Sequence, residues 1–161
     1  MTIRRARTAD VRAIHDLIRE YTGILLDKAT VALYEDVQEF WVADHDGVVV
    51  GCGAVHVMWE DLAEVRTVAV HPDVRNQGIG HRILSQLLAT AGDVGVSRVF
   101  VLTFEVDFFA AHGFQDIEGT PVPQDVYAEL LRSYDEGVAE FLNLERVKPN
   151  TLGNTRMLCH L

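Results

Sequence analysis

Residues 64–82 read Glu64-Val65-Arg66-Thr67-Val68-Ala69-Val70-His71-Pro72-Asp73-Val74-Arg75-Asn76-Gln77-Gly78-Ile79-Gly80-His81-Arg82. The stretch begins with a β-branched run that is typical of a buried strand, and Pro72 ends that run. An Arg75-x-x-Gly78-x-Gly80 turn then opens an amphipathic helix. Glycines let a backbone come close to a ligand, and the first-turn N–H groups of a helix attract phosphate oxygens. The stretch therefore predicts a strand, a turn and a helix that form a pyrophosphate cradle.

Two better-known glycine signatures do not fit this stretch. A Walker loop needs Gly-x-x-x-x-Gly-Lys-Ser/Thr, which the chain lacks, and a dinucleotide fingerprint needs a third glycine where Ile83 stands. The short Arg75–Gly80 core alone leaves open a plain strand–turn–helix connection whose glycines only turn the chain. The sequence on both sides of the core therefore decides between a cradle and a simple turn.

The composition is that of an ordinary globular domain. Of the 161 residues, 48% are hydrophobic and 24% are charged, so we expect a single domain over residues 1–161. The N-terminus shows no apolar signal stretch, and no run approaches the roughly 18 apolar residues of a membrane span. These features predict a cytoplasmic protein with no membrane partner. A formal net charge of −10 without a Lys/Arg stripe argues against nucleic acid as a partner.

The cysteines and histidines do not predict a metal site. Cys52 and Cys159 lack metal-ligand spacing and lie in strand-like runs, so we interpret them as buried thiols. The seven histidines include no His-x-x-x-His pair.

Hydrophobic periodicity predicts the order β-α-α-β-β-β-α-β-α-β, then a further helix, a polar loop and a terminal strand. The first helix starts near Thr8 and Asp10 and has an apolar face that ends at Tyr21, and Asp46-Gly47 predicts a hairpin. The predicted strands are 3–6, 40–43, 48–57, 64–70, 98–104, 114–117 and 156–161, and the later helices are 30–37, 79–88, 107–112 and 124–134.

Nearly the whole chain resembles the GNAT superfamily of acetyl-CoA-dependent N-acetyltransferases. The resemblance rests on the Arg75-x-x-Gly78-x-Gly80 turn after residues 68–72 and on Phe108-Phe109-Ala110-Ala111-His112-Gly113-Phe114. More narrowly, residues 67–72, 98–103 and 108–114 look like the acetyltransferase domain of N-acetylglutamate synthases, in the stand-alone form without an amino-acid-kinase domain. The resemblance implies a three-layer α+β fold. Its mixed, mostly antiparallel sheet has about six or seven strands, a central splay and helices on both faces.

The same resemblance implies that acetyl-CoA binds at the cradle. Backbone N–H groups of residues 77–81 would hold the pyrophosphate, and the edge of residues 68–70 would pair with the pantetheine amides. The Val68 N–H would point at the thioester oxygen and stabilise the charge that develops there. The predicted acetyl-CoA contacts are Val68, Ala69, Val70, Arg75, Asn76, Gln77, Gly78, Ile79, Gly80, His81 and Phe109.

Acetyl transfer to an amine needs two proton transfers, and the sequence offers candidates for only one. The acceptor ammonium must lose a proton before it attacks. Glu64, where many relatives place a glutamate, and Glu105, at the end of the facing strand, are candidate relays through water; either could instead be a solvated carboxylate. Relatives usually protonate the departing thiolate with a tyrosine at the position of Phe109, whose ring donates no proton. Water or another side chain then takes that role, or the thiolate leaves without help.

An amino-acid acceptor needs groups that hold its carboxylates. Arg66 is the first candidate because a guanidinium binds a carboxylate with two parallel hydrogen bonds, and Thr103 is expected opposite it. In the synthases, the region that matches the C-terminal stretch closes over the amino acid. The resemblance therefore adds Lys148, Asn154 and Thr155, for which a solvated loop is the alternative.

The leading hypothesis is that the chain transfers the acetyl group of acetyl-CoA to the α-amino group of L-glutamate or L-glutamine. The transfer would proceed by direct attack in a ternary complex, as the entry step to arginine. One alternative is acetylation of a protein N-terminus, a lysine or another small amine. A second, favoured by Phe109, is a non-catalytic acetyl-CoA sensor. The sequence leaves a homodimer open.

Overall fold

The computed structural model describes residues 1–161, apart from the side chain of residue 150. Short 3₁₀ turns lie at Thr8–Asp10, Val37–Glu39, Pro72–Val74 and Glu145–Val147. The strands are β1 (Thr2–Arg5), β2 (Phe40–His45), β3 (Val48–Trp59), β4 (Leu62–Val70), β5 (Arg98–Thr103), β6 (Gln115–Asp116) and β7 (Thr155–His160). The helices are α1 (Val11–Arg19), α2 (Thr30–Glu35), α3 (Ile79–Val94), α4 (Val106–Ala110), α5 (Gln124–Leu130), α6 (Glu136–Phe141) and α7 (Lys148–Thr151).

The seven strands form one sheet in the order β1-β2-β3-β4-β5-β7-β6. Strands β4 and β5 pair in parallel, whereas β1 with β2, β2 with β3, β5 with β7 and β6 with β7 pair antiparallel. The predicted mixed, mostly antiparallel sheet is therefore confirmed. None of the helices in the described part of the chain has the length and apolar composition that a membrane crossing needs.

The chain divides into two compact units. The first unit comprises Met1–His56 and Val65–Thr90, and the second comprises Val57–Glu64 and Ala91–Leu161. This division does not test the expectation of one domain, which stays a prediction.

The core of the first unit is built from side chains of α1, α2, β2, β3 and the end of β4. The predicted hairpin is confirmed: Asp46 and Gly47 have φ values of 51° and 86°, which suit a tight two-residue turn. In β3, a Cβ added to Gly53 would lie 2.9 Å from both Ile83 and Leu87 of α3, so the missing side chain lets the helix approach the strand. The buried cluster contains Val11, Ile14, Leu17, Ile18, Leu33, Phe40, Val42, Cys52, Ala54 and Ala69.

A charged network joins β1 to the start of α1. Arg4 donates two hydrogen bonds to Asp10, at 2.8 and 3.0 Å, and one to Asp44 at 2.9 Å. The Arg7 N–H also donates to Asp10, at 2.7 Å. The bond from Arg4 lowers the pKa of Asp10, and that from the Arg7 backbone lowers it further, against the opposing effect of burial. The carboxylate therefore stabilises the folded state in its charged form.

We expect Asp10→Asn to lower the free energy of unfolding by about 1–3 kcal/mol at pH 7, because it removes the charged partner of Arg4. A depressed folded pKa gives stability above the unfolded pKa of about 3.9, and that stability is lost as the pH falls through the folded pKa. Urea denaturation at several pH values should show the two proteins converging in acid. Asp46→Asn, at an exposed turn, is the control, and a pH-independent difference would contradict the prediction.

The second unit corrects the sequence analysis between residues 131 and 147. The predicted polar loop was wrong, because residues 136–141 form α6, whose last five residues are buried. The helix was missed since it has fewer than two turns, too short for a helical period. The predicted helix over 124–134 is also shorter and ends at Leu130, and Asp135 caps the next helix by accepting from the Val138 N–H at 2.9 Å. The unit's buried cluster contains Met58, Leu62, Phe100, Val126, Leu130, Val138, Phe141, Leu142 and Leu158.

Candidate active site

The predicted strand–turn–helix of the cradle is present in the first unit. Asn76 and Gly78 have φ values of 63° and 80°, and the bond from the Arg82 N–H to the Gly78 carbonyl, at 3.1 Å, opens α3. Ile79 and Gly80 thus occupy the first turn, whose N–H groups have no acceptor within the helix. A Cβ added to Gly78 would meet no atom within 4 Å. The turn therefore presents an open backbone surface beside the positive end of a 16-residue helix.

The other predicted acetyl-CoA contacts of the first unit lie at the end of β4, in the turn and at the start of α3. Ala69 and Ile79 are buried, and they fix β4 and α3 to the core. Val68, Val70 and Gly80 are half-buried, whereas Arg75, Asn76, Gln77, Gly78 and His81 are exposed. The exposed members surround the turn, as a site for a large polar ligand requires. Their role in binding acetyl-CoA stays a prediction.

Tyr21 lies two residues after the end of α1 and supports the cradle, whereas the sequence pattern predicted only that it lies on an apolar helix face. Its hydroxyl donates to the carbonyl of Val70, the last residue of β4. Its ring lies 5.8 Å from the Arg75 guanidinium, within range of a cation–π contact. No local pattern predicts either contact, because Tyr21 and Val70 are 49 residues apart.

Strand β4 is distorted at Thr67, directly before the proposed thioester contact. Thr67 has a φ of 59°, in the left-handed region that a β-branched residue rarely adopts. One residue in that conformation interrupts the pleat and redirects the following peptide groups. The N–H of Val68 therefore does not continue the regular alternation of the strand.

Glu64 is buried in the second unit, with 4% of its surface exposed. It pairs with Phe100 at the last registered position of the β4–β5 ladder, which begins at Leu62 and Arg98. Burial lowers the pKa of Arg156, and the negative charge of Glu64 opposes that effect. The alternative of a solvated carboxylate does not fit Glu64. A buried carboxylate beside an arginine is a better candidate for proton relay.

Arg156 was absent from the predicted site residues. It donates to the carbonyls of Gly119 and Glu140, at 2.9 and 3.0 Å, and to that of Phe141, and its guanidinium lies 4.9 Å from the ring of Phe100. It therefore joins the loop before α5 and the end of α6 to β7. The one available signal was an arginine directly before the apolar run of residues 157–159.

Glu105 and Thr103 lie at the end of β5. The Glu105 N–H donates to the Thr103 hydroxyl at 2.8 Å, and Thr103 is 7% exposed. The Glu105 side chain is exposed at the start of α4, which fits the solvated alternative. Thr103 pairs with Thr155 across the β5–β7 ladder, so the structure brings these two predicted acceptor contacts together.

The remaining predicted acceptor residues differ in how exposed they are. Arg66 in β4 is half-buried, as is Asn154 before β7. The Lys148 ammonium is exposed and donates to Glu145 at 2.8 Å, three residues away. A surface pair of this kind contributes little to stability, so Lys148 remains able to exchange Glu145 for another carboxylate.

Phe109 is a core residue of the second unit. It is 5% exposed, and its ring centroid lies 5.0 Å from that of Phe108 and 5.3 Å from that of Phe114, both edge to face. Among the described residues, no group of three or more His, Cys, Asp or Glu side chains is placed to hold a metal ion. Cys52 and Cys159 are buried free thiols, as predicted.

Comparison with known proteins agrees with this geometry. Residues 11–115 match the acetyltransferase (GNAT) family. The chain belongs to the GNAT acetyltransferase family. The match includes β4, the cradle turn and all of α3, and the predicted fold class is thereby confirmed.

The relatives of this GNAT chain include amino-acid acetyltransferases. An amino-acid acetyltransferase of Mycobacterium tuberculosis is 62% identical over 160 residues, which cover 97% of this chain and 92% of the relative. The crystal structure of Rv2747 from the same organism, in complex with CoA and NLQ, has a TM-score of 0.98 and 60% identity and covers 100% and 99% of the two chains. N-acetylglutamate synthase of Neisseria gonorrhoeae, complexed with coenzyme A and N-acetyl-glutamate, has a TM-score of 0.77 and 27% identity. There the match covers 99% of this chain and 35% of the synthase.

Gly78→Asp is expected to weaken acetyl-CoA binding at least tenfold, because the side chain occupies the open surface and its charge repels pyrophosphate. Gly80→Asp should act in the same direction. Calorimetric titration with acetyl-CoA measures both effects. Gly47→Asp changes a glycine of similar φ and equal free space in the hairpin, so it controls for backbone strain. Unchanged affinity in both cradle variants would remove the cradle assignment.

Phe109→Leu should reduce turnover only through packing, by less than about tenfold. Removal of a general acid would cost about 10²–10⁴-fold, and a phenyl ring supplies none. Steady-state kinetics beside a thermal melt separates the two cases. A folded variant with wild-type melting temperature and no turnover would show a chemical role for the ring.

Proposed function

We propose that this GNAT chain transfers the acetyl group of acetyl-CoA to the α-amino group of L-glutamate or L-glutamine. The observation that carries the proposal is the open cradle at Gly78, on a fold shared with a structure of 60% identity that holds CoA. The 62% identity with an amino-acid acetyltransferase supports an amino acid as the acceptor. The family resemblance and the synthase complex with N-acetyl-glutamate support glutamate or glutamine.

In the proposed complex, the first unit holds acetyl-CoA. The N–H groups at the start of α3 bind the pyrophosphate, and Arg75 adds a positive charge beside the turn. The edge of β4 beyond Thr67 pairs with the pantetheine amides. Val68 donates its N–H to the thioester oxygen and stabilises the negative charge on that oxygen after attack, a contribution of roughly 2.7–4 kcal/mol in comparable sites.

Glu64 accepts the proton that the acceptor ammonium loses, through a water molecule. The freed amine attacks the thioester carbon. As the tetrahedral intermediate collapses, the carbon–sulfur bond breaks, the nitrogen loses its second proton to water, and coenzyme A leaves as a thiolate. An ordinary thiol has a pKa of about 8.5, so the coenzyme A thiolate is a fair leaving group and takes a proton from water. This route needs no acid at Phe109.

Arg66 binds a carboxylate of the acceptor, and Thr103, Lys148, Asn154 and Thr155 are the proposed further contacts. A peptide N-terminus has no free α-carboxylate, so an arginine held for this purpose favours a free amino acid over a protein acceptor. The non-catalytic sensor is the weaker alternative, because the buried Glu64 has no evident use in mere binding of acetyl-CoA.

Transfer to glutamate would place this activity at the first step of arginine biosynthesis, and we propose a cytoplasmic location for it. The chain spans about 29% of a longer amino-acid acetyltransferase from Pasteurella multocida, over 126 residues at 36% identity. The shared part includes the cradle and excludes most of that protein, so acetyl transfer is proposed to need only this region.

The test is a thiol-release assay with acetyl-CoA, the twenty amino acids and several peptides. We expect kcat/KM to be highest for glutamate or glutamine, and Gly78→Asp to abolish the signal at low acetyl-CoA. Preference for a peptide or a small amine would favour the second hypothesis. Acetyl-CoA binding without turnover on any acceptor would favour the sensor.

A further inference from the structure

The distortion at Thr67 needs a partner that holds it. A β-branched residue at positive φ is strained, and such strain persists only where the surroundings impose it. Thr67 lies in the first unit, where β3 supplies Cys52, a residue with no exposed surface. The Cys52 thiol donates to the Thr67 carbonyl, with the sulfur 3.5 Å from the oxygen.

This contact determines the direction of the neighbouring N–H group. The Thr67 carbonyl and the Val68 N–H belong to one peptide group, and the structure contains no cis peptide bond in the described chain. In a planar trans peptide the C=O and N–H point in opposite directions, so a bond to the oxygen fixes the line along which the N–H points.

We propose that Cys52 is a positioning residue for acetyl transfer, which holds the Thr67–Val68 peptide so that the Val68 N–H faces the thioester oxygen. The inference rests on the proposed function, because Val68 acts on the thioester only if the chain binds acetyl-CoA as proposed. Cys52 itself does not touch the substrate. It acts through the peptide group that does.

The protonation state of the thiol suits this role. Burial raises the pKa of Cys52 to about 12, against the smaller opposing effect of the Ala69 N–H. The sulfur therefore keeps its proton over the whole pH range in which an amine acceptor reacts. The orientation of the Val68 N–H is thus independent of pH, unlike the proton transfer from the acceptor.

The first experiment compares Cys52→Ala, Cys52→Ser and Cys159→Ala. Cys159 is the matched control, since it is also a buried free thiol beside a backbone carbonyl, that of His112 at 3.6 Å. We expect Cys52→Ala to lower kcat about threefold to tenfold with acetyl-CoA affinity within about twofold of wild type. Cys52→Ser keeps a donor and should recover part of kcat. Cys159→Ala should change the melting temperature but leave kcat within about twofold.

A second experiment uses spectroscopy on the Cys52 thiol and on the Val68 amide. In Cys159→Ala only the Cys52 thiol remains, so its S–H stretching band can be assigned by infrared spectroscopy. A hydrogen-bonded thiol absorbs at lower frequency than a free one, and we expect the lower frequency. In ¹⁵N-labelled protein, Cys52→Ala should also shift the Val68 amide resonance, whereas Cys159→Ala should not.

The outcomes separate this inference from the proposed function. A free-thiol frequency, or a kcat in Cys52→Ala equal to that of Cys159→Ala, would overturn the positioning role while acetyl transfer stands. If the wild type acetylates no amine, the proposed function fails and so does the positioning role in catalysis; the infrared and amide signals would then report a purely structural contact.

Discussion

Glu64→Gln is expected to lower kcat by about 10²–10⁴-fold, the loss that follows removal of a general base. The amide keeps the shape of the side chain but accepts no proton at neutral pH. Acetyl-CoA affinity should be unchanged, because the cradle lies elsewhere on the chain. Stopped-time assays of thiol release at saturating substrates, with a calorimetric titration of acetyl-CoA, measure the two quantities.

Two further substitutions sharpen this experiment. Glu60→Gln changes an exposed carboxylate just before β4 and should leave kcat within about twofold. Glu105→Gln tests the second candidate relay, whose side chain is exposed. A folded Glu64→Gln protein with wild-type kcat, combined with a large loss in Glu105→Gln, would reverse the assignment of the base.

Arg66→Ala is expected to reduce kcat/KM for the amino acid by about 2–4 kcal/mol, roughly 30-fold to 900-fold, because a desolvated carboxylate loses its charged partner. Acetyl-CoA binding should hardly change. Arg66→Lys should recover only part of the loss, because lysine keeps the charge but not the planar fork of donors. Steady-state kinetics with glutamate and with glutamine, beside a thermal melt, provides the measurement.

The competing interpretation is that Arg66 only pairs with a carboxylate of the sheet, such as Asp61 or Glu64. Asp61 is already bound by Arg98, through contacts of 3.1 and 3.2 Å. A surface pair would predict a stability change below about 1 kcal/mol and normal kinetics. Arg12→Ala, at an exposed position of α1, is the control for loss of one positive charge. Wild-type amino-acid kinetics in Arg66→Ala would refute carboxylate binding.

The parts of the structure that sequence could predict are those encoded locally. The Asp46-Gly47 hairpin and the turn at Gly78 depend on residues within a few positions, and both were correctly predicted. Helix α6 was missed, although five of its six residues are buried. Its short length left no period to detect, and its burial depends on strands far away in the chain.

The residue types of the candidate site were predictable from the sequence, but the burial and backbone conformation of those residues were not. The sequence located Glu64 and Val68, yet it could not show that Glu64 is buried or that Thr67 is at positive φ. Arg156 and Cys52 were not nominated for the site, because their contacts bridge 15 or more residues. Such contacts follow from the tertiary arrangement, which local patterns in a single sequence do not reveal.

The close packing of α3 against Gly53 has a thermodynamic consequence for ligand binding. Ile83 and Leu87 are fully buried, so the helix whose first turn forms the proposed cradle is fixed before any ligand arrives. A preorganised site loses little conformational entropy when it is filled. In the proposed complex the entropic cost of binding therefore falls mainly on the flexible pantetheine arm of acetyl-CoA, and we expect affinity to depend on how well the edge of β4 orders that arm.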